Sequence, residues 1–437
     1  MGSVPRVRRR AAGLFIEGGI AVAVQAWTGV RRVAFIPVTN SQVDTTVPSD
    51  FQEQVYQRAF IDPDPASNAD RSLKSYIHSV SSGRATLTGH VFPPVVAPDE
   101  DVVKPGLESL PSIKLPFGGQ IPVHGFTFAV LVLPHSAGPH RGGFAWYPGT
   151  KINGVSFYCR VALYTSPNFS MRQSVGVWAM EALHMICRFG DLYYSDPPLG
   201  GFDVMSCACG THPTAYTKTQ FGWADPGATT VHGIGTTEDY SLIAVSYPQP
   251  TPPGRHLAVR VASQIDSSYF VIEARDRSDI YEAPSAVSSG IPAEGVVVYQ
   301  VRGTTDVELR GSGLTAGQSF HAQSEDLTVR VDAALPGGYR IRVTSRATVL
   351  CQKLQTQADS LRQSLQLEQD INVRKQLISA LAKVLEQMRT LGCADIAELV
   401  DLDEETHGRF IGRQLDAIAA GDRPSSSDNG PTSEADW

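Results

Sequence analysis

The sequence predicts an α+β protein, and three observations carry that reading. The first is punctuation: 39 Gly and 29 Pro in 437 residues favour strands joined by many turns over a mostly helical chain. The second is an alternation of strand-like and helix-like segments up to about residue 190, which suggests a layered sheet with helices. The third is a change of texture near residue 255, to short alternating runs, and then near residue 352, to leucine-rich helical spacing.

Residues 30–38 (VRRVAFIPV) form a β-branched run stopped by Pro37 and Asn40, so they predict a strand. Over residues 69–80, Leu73, Tyr76, Ile77 and Val80 recur at helical spacing and predict a short amphipathic helix. Residues 84–92 alternate like a strand, and 93–122 are rich in Pro and Gly, hence loop. Residues 126–134 (FTFAVLVLP) are apolar throughout and too short for a good helix, which predicts a central strand buried on both faces. Residues 174–189 carry no Gly or Pro after Gly176 and predict a buried helix.

From 256 to 343 the runs HLAVRVA, YFVIEA, GVVVYQV, DVELR, LTVRVD and YRIRV predict a small antiparallel β domain over 251–345. Leu354, Ala358, Leu361 and Leu365, then Leu377, Leu381, Val384, Leu385, Met388 and Leu391, step by three or four around a break at Asp370 and Asn372. They predict a helical hairpin or coiled coil within 350–420, whose stripe over 352–391 either packs internally or serves self-association. Residues 421–437 are polar and predict a disordered tail. The organisation is therefore a leader (1–29), a first domain (30–250), a β domain, a hairpin and a tail.

Composition narrows the function. A net charge of −7 argues against a nucleic-acid partner, because phosphate binding needs a basic surface. No stretch of 18 apolar residues predicts a membrane-spanning helix. Arg6, Arg8, Arg9 and Arg10 precede an apolar stretch, as in a signal peptide, but Glu17 and two glycines interrupt it. No G-x-x-x-x-G-K-S/T stretch supports nucleotide use, and no G-x-S-x-G elbow supports a serine hydrolase.

The chemically loaded stretch is residues 178–194. Zinc peptidases place two His at i and i+4 on a helix, with a Glu after the first that activates a metal-bound water. Here the frame reads Met180-Glu181-Ala182-Leu183-His184, followed by Asp191-Leu192-Tyr193, by Phe202-Asp203-Val204-Met205-Ser206, and by Lys218 with Phe221-Gly222-Trp223. In order and spacing these motifs resemble those of the immune inhibitor A-like secreted metallopeptidases of bacteria. Residues 72–91 and 269–301 are similar to other stretches of that family, so the resemblance covers about 30–343.

The resemblance implies a metzincin-like metallopeptidase domain, with a mixed sheet, a buried active-site helix and a turn bearing Met205 beneath the metal. It implies zinc as cofactor, His184 and Asp191 as ligands, Glu181 as general base, a peptide or protein as substrate or ligand, and export. Around the metal-binding stretch the chain departs from the pattern at three places. Met180 replaces the first zinc His, Cys187 stands where the family has Gly, and one extra residue separates His184 from Asp191. Gln300 also stands at a position where the family has His.

A thioether is a soft ligand suited to copper(I) rather than zinc, and a catalytic zinc normally keeps three protein ligands and a water. Two readings follow. One is a pseudopeptidase that keeps the fold as a binding or structural module. The other is an active zinc endopeptidase using Glu181. The cysteines leave three arrangements open: buried thiols, a disulfide in an exported protein, or a closed structural zinc site of His184, Cys187, Cys207 and Cys209. The last supposes a helix that continues past Cys187, with His184, Cys187 and Asp191 on one face. His135 and His140 flank a turn and read as loop histidines, while the resemblance, whose family has a His in a comparable loop, leaves a substrate-side role open.

Overall fold

The structure, a computed structural model, describes residues 23–39, 47–63, 71–96, 125–135, 143–145, 158–164, 175–285 and 288–393. The leader before residue 23, His140, and everything after Cys393, including the expected tail, lie outside the described residues. The chain is α+β, built on three sheets.

The first sheet comprises β1 (Gly29–Thr39), β2 (Ala85–Val91), β3 (Val95–Val96), β4 (Phe128–His135), β5 (Gly143–Ala145) and β6 (Tyr158–Tyr164). Its order is β2-β1-β4-β6-β5, with β3 pairing beyond β2 on the end of β1. All pairs are parallel except β5, which runs antiparallel along β6. Parallel strands are buried on both faces, and β1 shows it: Val33 to Ile36 are buried without alternation.

Helices α1 (Phe51–Phe60) and α2 (Leu73–Val80) pack together and against β2. The first was not apparent in the sequence; it buries Phe51, Val55 and Ala59 at a spacing of four. Helix α2 starts where the Ser72 side chain accepts from Ser75 N–H, and it buries the four apolar residues its periodicity singled out. Helix α3 (Val175–Cys187) closes this layer. All its residues are buried, and it packs on β4, β5 and β6. Trp178 stacks on Phe35 of β1 at 5.9 Å between ring centroids.

The second sheet has the order β12-β11-β10-β9-β7, from β7 (Thr229–His232), β9 (Ala258–Ala262), β10 (Tyr269–Arg275), β11 (Gly295–Val301) and β12 (Val307–Leu314). The third has the order β13-β14-β15-β8, from β8 (Thr237–Ile243), β13 (Ser319–Ala322), β14 (Leu327–Leu335) and β15 (Gly338–Ser345). Strands β7 and β8 precede residue 251, so the β layers begin earlier in the chain than the change of texture indicates.

The second sheet is the middle layer. Side chains alternate across a strand. Val271, Val297, Tyr299 and Val301 enter the core of the first layer. Phe270, Ile272, Ala274, Val296 and Val298 enter the core shared with the third sheet. One sheet thus serves two cores.

Helices α6 (Thr348–Leu367) and α7 (Ile371–Thr390) form the expected hairpin with a core of its own. The labels α4 and α5 belong to two short helices, Val204–Cys207 and Ala215–Gln220. Asp370 caps α7 by accepting from the Asn372 and Val373 N–H groups. A disulfide joins Cys351 to Cys393 and ties the two ends of the hairpin. Lys353 Nζ anchors its base by donating to the Gln264 and Ile265 carbonyls. Among the described residues, no helix is long and apolar enough to cross a membrane.

Candidate functional site

Helix α3 presents Met180, Glu181 and His184, all buried. It ends at Cys187 because Arg188 adopts φ +54° and its N–H bonds the His184 carbonyl. The chain therefore folds back instead of continuing as helix. That reversal, not a shared helix face, brings Asp191 to His184. The left-handed residue falls one position after Cys187.

Both imidazole nitrogens of His184 meet acceptors. Nδ1 lies 2.5 Å from the Phe189 carbonyl and Nε2 2.9 Å from Asp191 Oδ1. A ring that donates from both nitrogens is an imidazolium. Burial by itself would depress this group, but the hydrogen bond and charge of Asp191 outweigh it and raise His184 to about 9. Tyr193, whose phenol is raised by burial and by its neighbour Asp191, also hydrogen-bonds that carboxylate.

Met205 lies fully buried on α4, which packs against α3. The Met205 carbonyl accepts from Leu192 N–H at 2.9 Å, so this turn is pinned to the segment that carries Asp191. At the other end, Gly176 allows the close approach: a Cβ there would stand 2.1 Å from the Ala208 carbonyl oxygen.

Of the sequence-predicted residues, the structure brings His184 and Asp191 into contact. Met180, one turn before His184, offers only a thioether. Cys207 and Cys209 are joined in a disulfide, and Cys187 is a buried thiol whose pKa burial pushes up. The closed set of His184, Cys187, Cys207 and Cys209 does not assemble, because two of its sulfurs bond each other and the helix it supposed stops at Cys187. Among the described residues, no group of three or more His, Cys, Asp and Glu side chains could hold a metal ion. These residues do not fit a catalytic zinc.

A second constellation escaped the sequence. Arg275, fully buried, donates to Glu273 at 3.0 Å, to Glu282 at 2.8 Å and to the His212 carbonyl at 3.1 Å. His212 Nε2 meets Asp279 at 3.1 Å, and its Nδ1 accepts from Lys218 Nζ at 3.1 Å. Burial, reinforced by Lys218, lowers His212 to about 4; burial also lowers Lys218 to about 7. The available signal was the triplet Glu273-Ala274-Arg275, which puts opposite charges on one face of an otherwise apolar strand. Gln300 is buried on β11 opposite Phe270, donates to Ser268 Oγ at 2.7 Å and accepts from Arg302 at 3.2 Å. No known protein family matches the chain, and no curated protein matches it.

Proposed function

We propose that this chain is a metallopeptidase-like protein of the immune inhibitor A type in which an ion pair has replaced the catalytic zinc. It acts as a pseudopeptidase, a module that binds a peptide or protein without cutting it. The observation that carries this reading is the pairing of His184 with Asp191, next to Met180. Each ring nitrogen of His184 faces an acceptor, and the first ligand position holds a thioether. The mixed sheet with antiparallel edge strand β5, the wholly buried α3 and Met205 packed near it support the fold half of the proposal.

The test is a pair of measurements on purified protein incubated with zinc: elemental analysis and casein hydrolysis. The unmodified chain should hold no stoichiometric zinc and cleave nothing. The Met180→His variant should gain zinc, and further substitution His184→Ala should remove it. Zinc-dependent cleavage by the unmodified chain, abolished in Glu181→Gln, would overturn the proposal and establish the active endopeptidase.

A further inference from the structure

A cleft of about 540 Å³ opens where four pieces of chain meet: the end of α2 with its turn, the segment after β8, the turn after β10, and the β14–β15 hairpin. It shares no residue with α3, Asp191 or α4. Its volume lies within the usual range for small-ligand sites, roughly 300–1,000 Å³.

The chemistry of its wall is specific. Two carboxylates, Asp276 and Asp279, face it together with serine hydroxyls and the ring of Tyr247, which is 41% exposed. No Lys or Arg lines it. The carboxylates are held in place through one oxygen each. Asp276 Oδ1 accepts from Ser278 Oγ at 2.6 Å and from Ser278 N–H at 3.1 Å. Asp279 Oδ1 accepts from Tyr281 N–H at 2.8 Å and meets His212 Nε2 at 3.1 Å. The Oδ2 atom of each is left without a hydrogen bond among the described residues. The Ser79 and Ser82 hydroxyls, also in the wall, are likewise unengaged there. Tyr247 is fixed at its backbone, where its N–H bonds the Ala244 carbonyl at 2.9 Å.

We propose that this cleft binds a neutral saccharide, with a pyranose face on the Tyr247 ring and its hydroxyls on Asp276 and Asp279. Sugar hydroxyls both donate and accept, and the wall answers both: carboxylate oxygens accept and serine hydroxyls donate. An aromatic ring with one open face suits the C–H surface of a sugar. Anionic ligands are disfavoured because they would meet two carboxylates and no Lys or Arg, with His78 the one basic side chain of the wall. A simple cation would use the carboxylates and leave the serine donors unanswered.

Saturation-transfer NMR on the full chain tests the proposal, with maltose, cellobiose, lactose and N,N′-diacetylchitobiose as probes and putrescine as the cationic control. At least one sugar should show transfer, with millimolar affinity measurable by calorimetry. Tyr247→Ala and Asp276→Asn should each weaken it at least about tenfold. Tyr247→Ala should not move the melting temperature, because that side chain is exposed, and Asp276→Asn keeps the shape and the Oδ1 acceptor of the half-buried Asp276. The exposed Val231→Ser variant should bind as the parent does. Silence from every sugar at about 10 mM, binding that survives both substitutions, or binding of putrescine alone would overturn the assignment.

Discussion

Asp203 accepts from Thr214 twice: Oδ2 lies 2.8 Å from the Thr214 N–H nitrogen and 2.8 Å from its hydroxyl. The same oxygen takes the Thr217 hydroxyl at 2.7 Å, while Oδ1 caps α4 by accepting from Met205 N–H at 2.8 Å. One fully buried carboxylate thus joins the turn that carries Met205 to the start of α5. The geometry around His184 rests on this joint, because Met205 is bonded to Leu192, next to Asp191.

Asp203→Ala should therefore be severe. It removes a charged acceptor and strands several buried donors, which costs about 3–5 kcal/mol. Urea unfolding should show the midpoint fall accordingly. Asp332→Ala, which breaks an exposed pair with Arg330, should change stability by less than about 0.5 kcal/mol and serves as the comparison.

The buried His212 should make the fold acid-sensitive. Its ordinary value of 6.5 is lowered to about 4 in the folded chain. Between those values the unfolded chain binds the proton and the folded chain does not, so stability rises with pH in this window and is lost as pH falls through it. Urea midpoints from pH 7 down to pH 4, converted to free energy, should fall more steeply for the parent than for His212→Gln. The difference should reach about 2–3 kcal/mol. Parallel profiles would show that His212 does not titrate alone.

Thiol titration checks the cysteine pairing. Denatured protein should show four fewer reactive thiols without reductant than with it, corresponding to Cys207–Cys209 and Cys351–Cys393. Cys351→Ser should destabilise the hairpin by roughly 3–4 kcal/mol, because the bridge closes a long loop in the unfolded chain. Circular dichroism should then show an earlier loss of helix, with the β signal unchanged.

Removal of everything after Arg346 should leave a cooperative core. The hairpin buries its stripe, from Leu354 to Met388, in its own interface, and it is fastened to the rest mainly through Gln264. The truncated chain should melt in one transition within about 4 °C of the parent's sheet transition. Precipitation on truncation would mean that the helices cover apolar surface of the sheets.

Sequence reading succeeded where periodicity is local. The buried helix expected over 174–189 is Val175–Cys187, and the helix expected over 69–80 is Leu73–Val80. Helix α1 escaped because its three buried residues sit among Gln, Glu and Tyr, so its stripe is narrow. Strands β7 and β8 escaped because they are only partly apolar and join sheets whose other members lie far along the chain.

By itself the sequence determined the class of fold, the amphipathic hairpin, and the absence of an imidazole at position 180. These depend on residue identity and short-range spacing, which the chain displays directly. Tertiary structure alone decided the rest. Whether α3 would carry Asp191 on its own face turned on a single backbone angle at Arg188. Which cysteines meet depended on where α4 and the hairpin ends come to lie. Glu273 sits beside Arg275 on β10, but Glu282 follows in a later turn and Lys218 reaches His212 from α5, so these partners meet only in the folded chain. Burial of that kind is a property of three-dimensional neighbours, and a buried charge is stable only with partners whose identity no local pattern encodes.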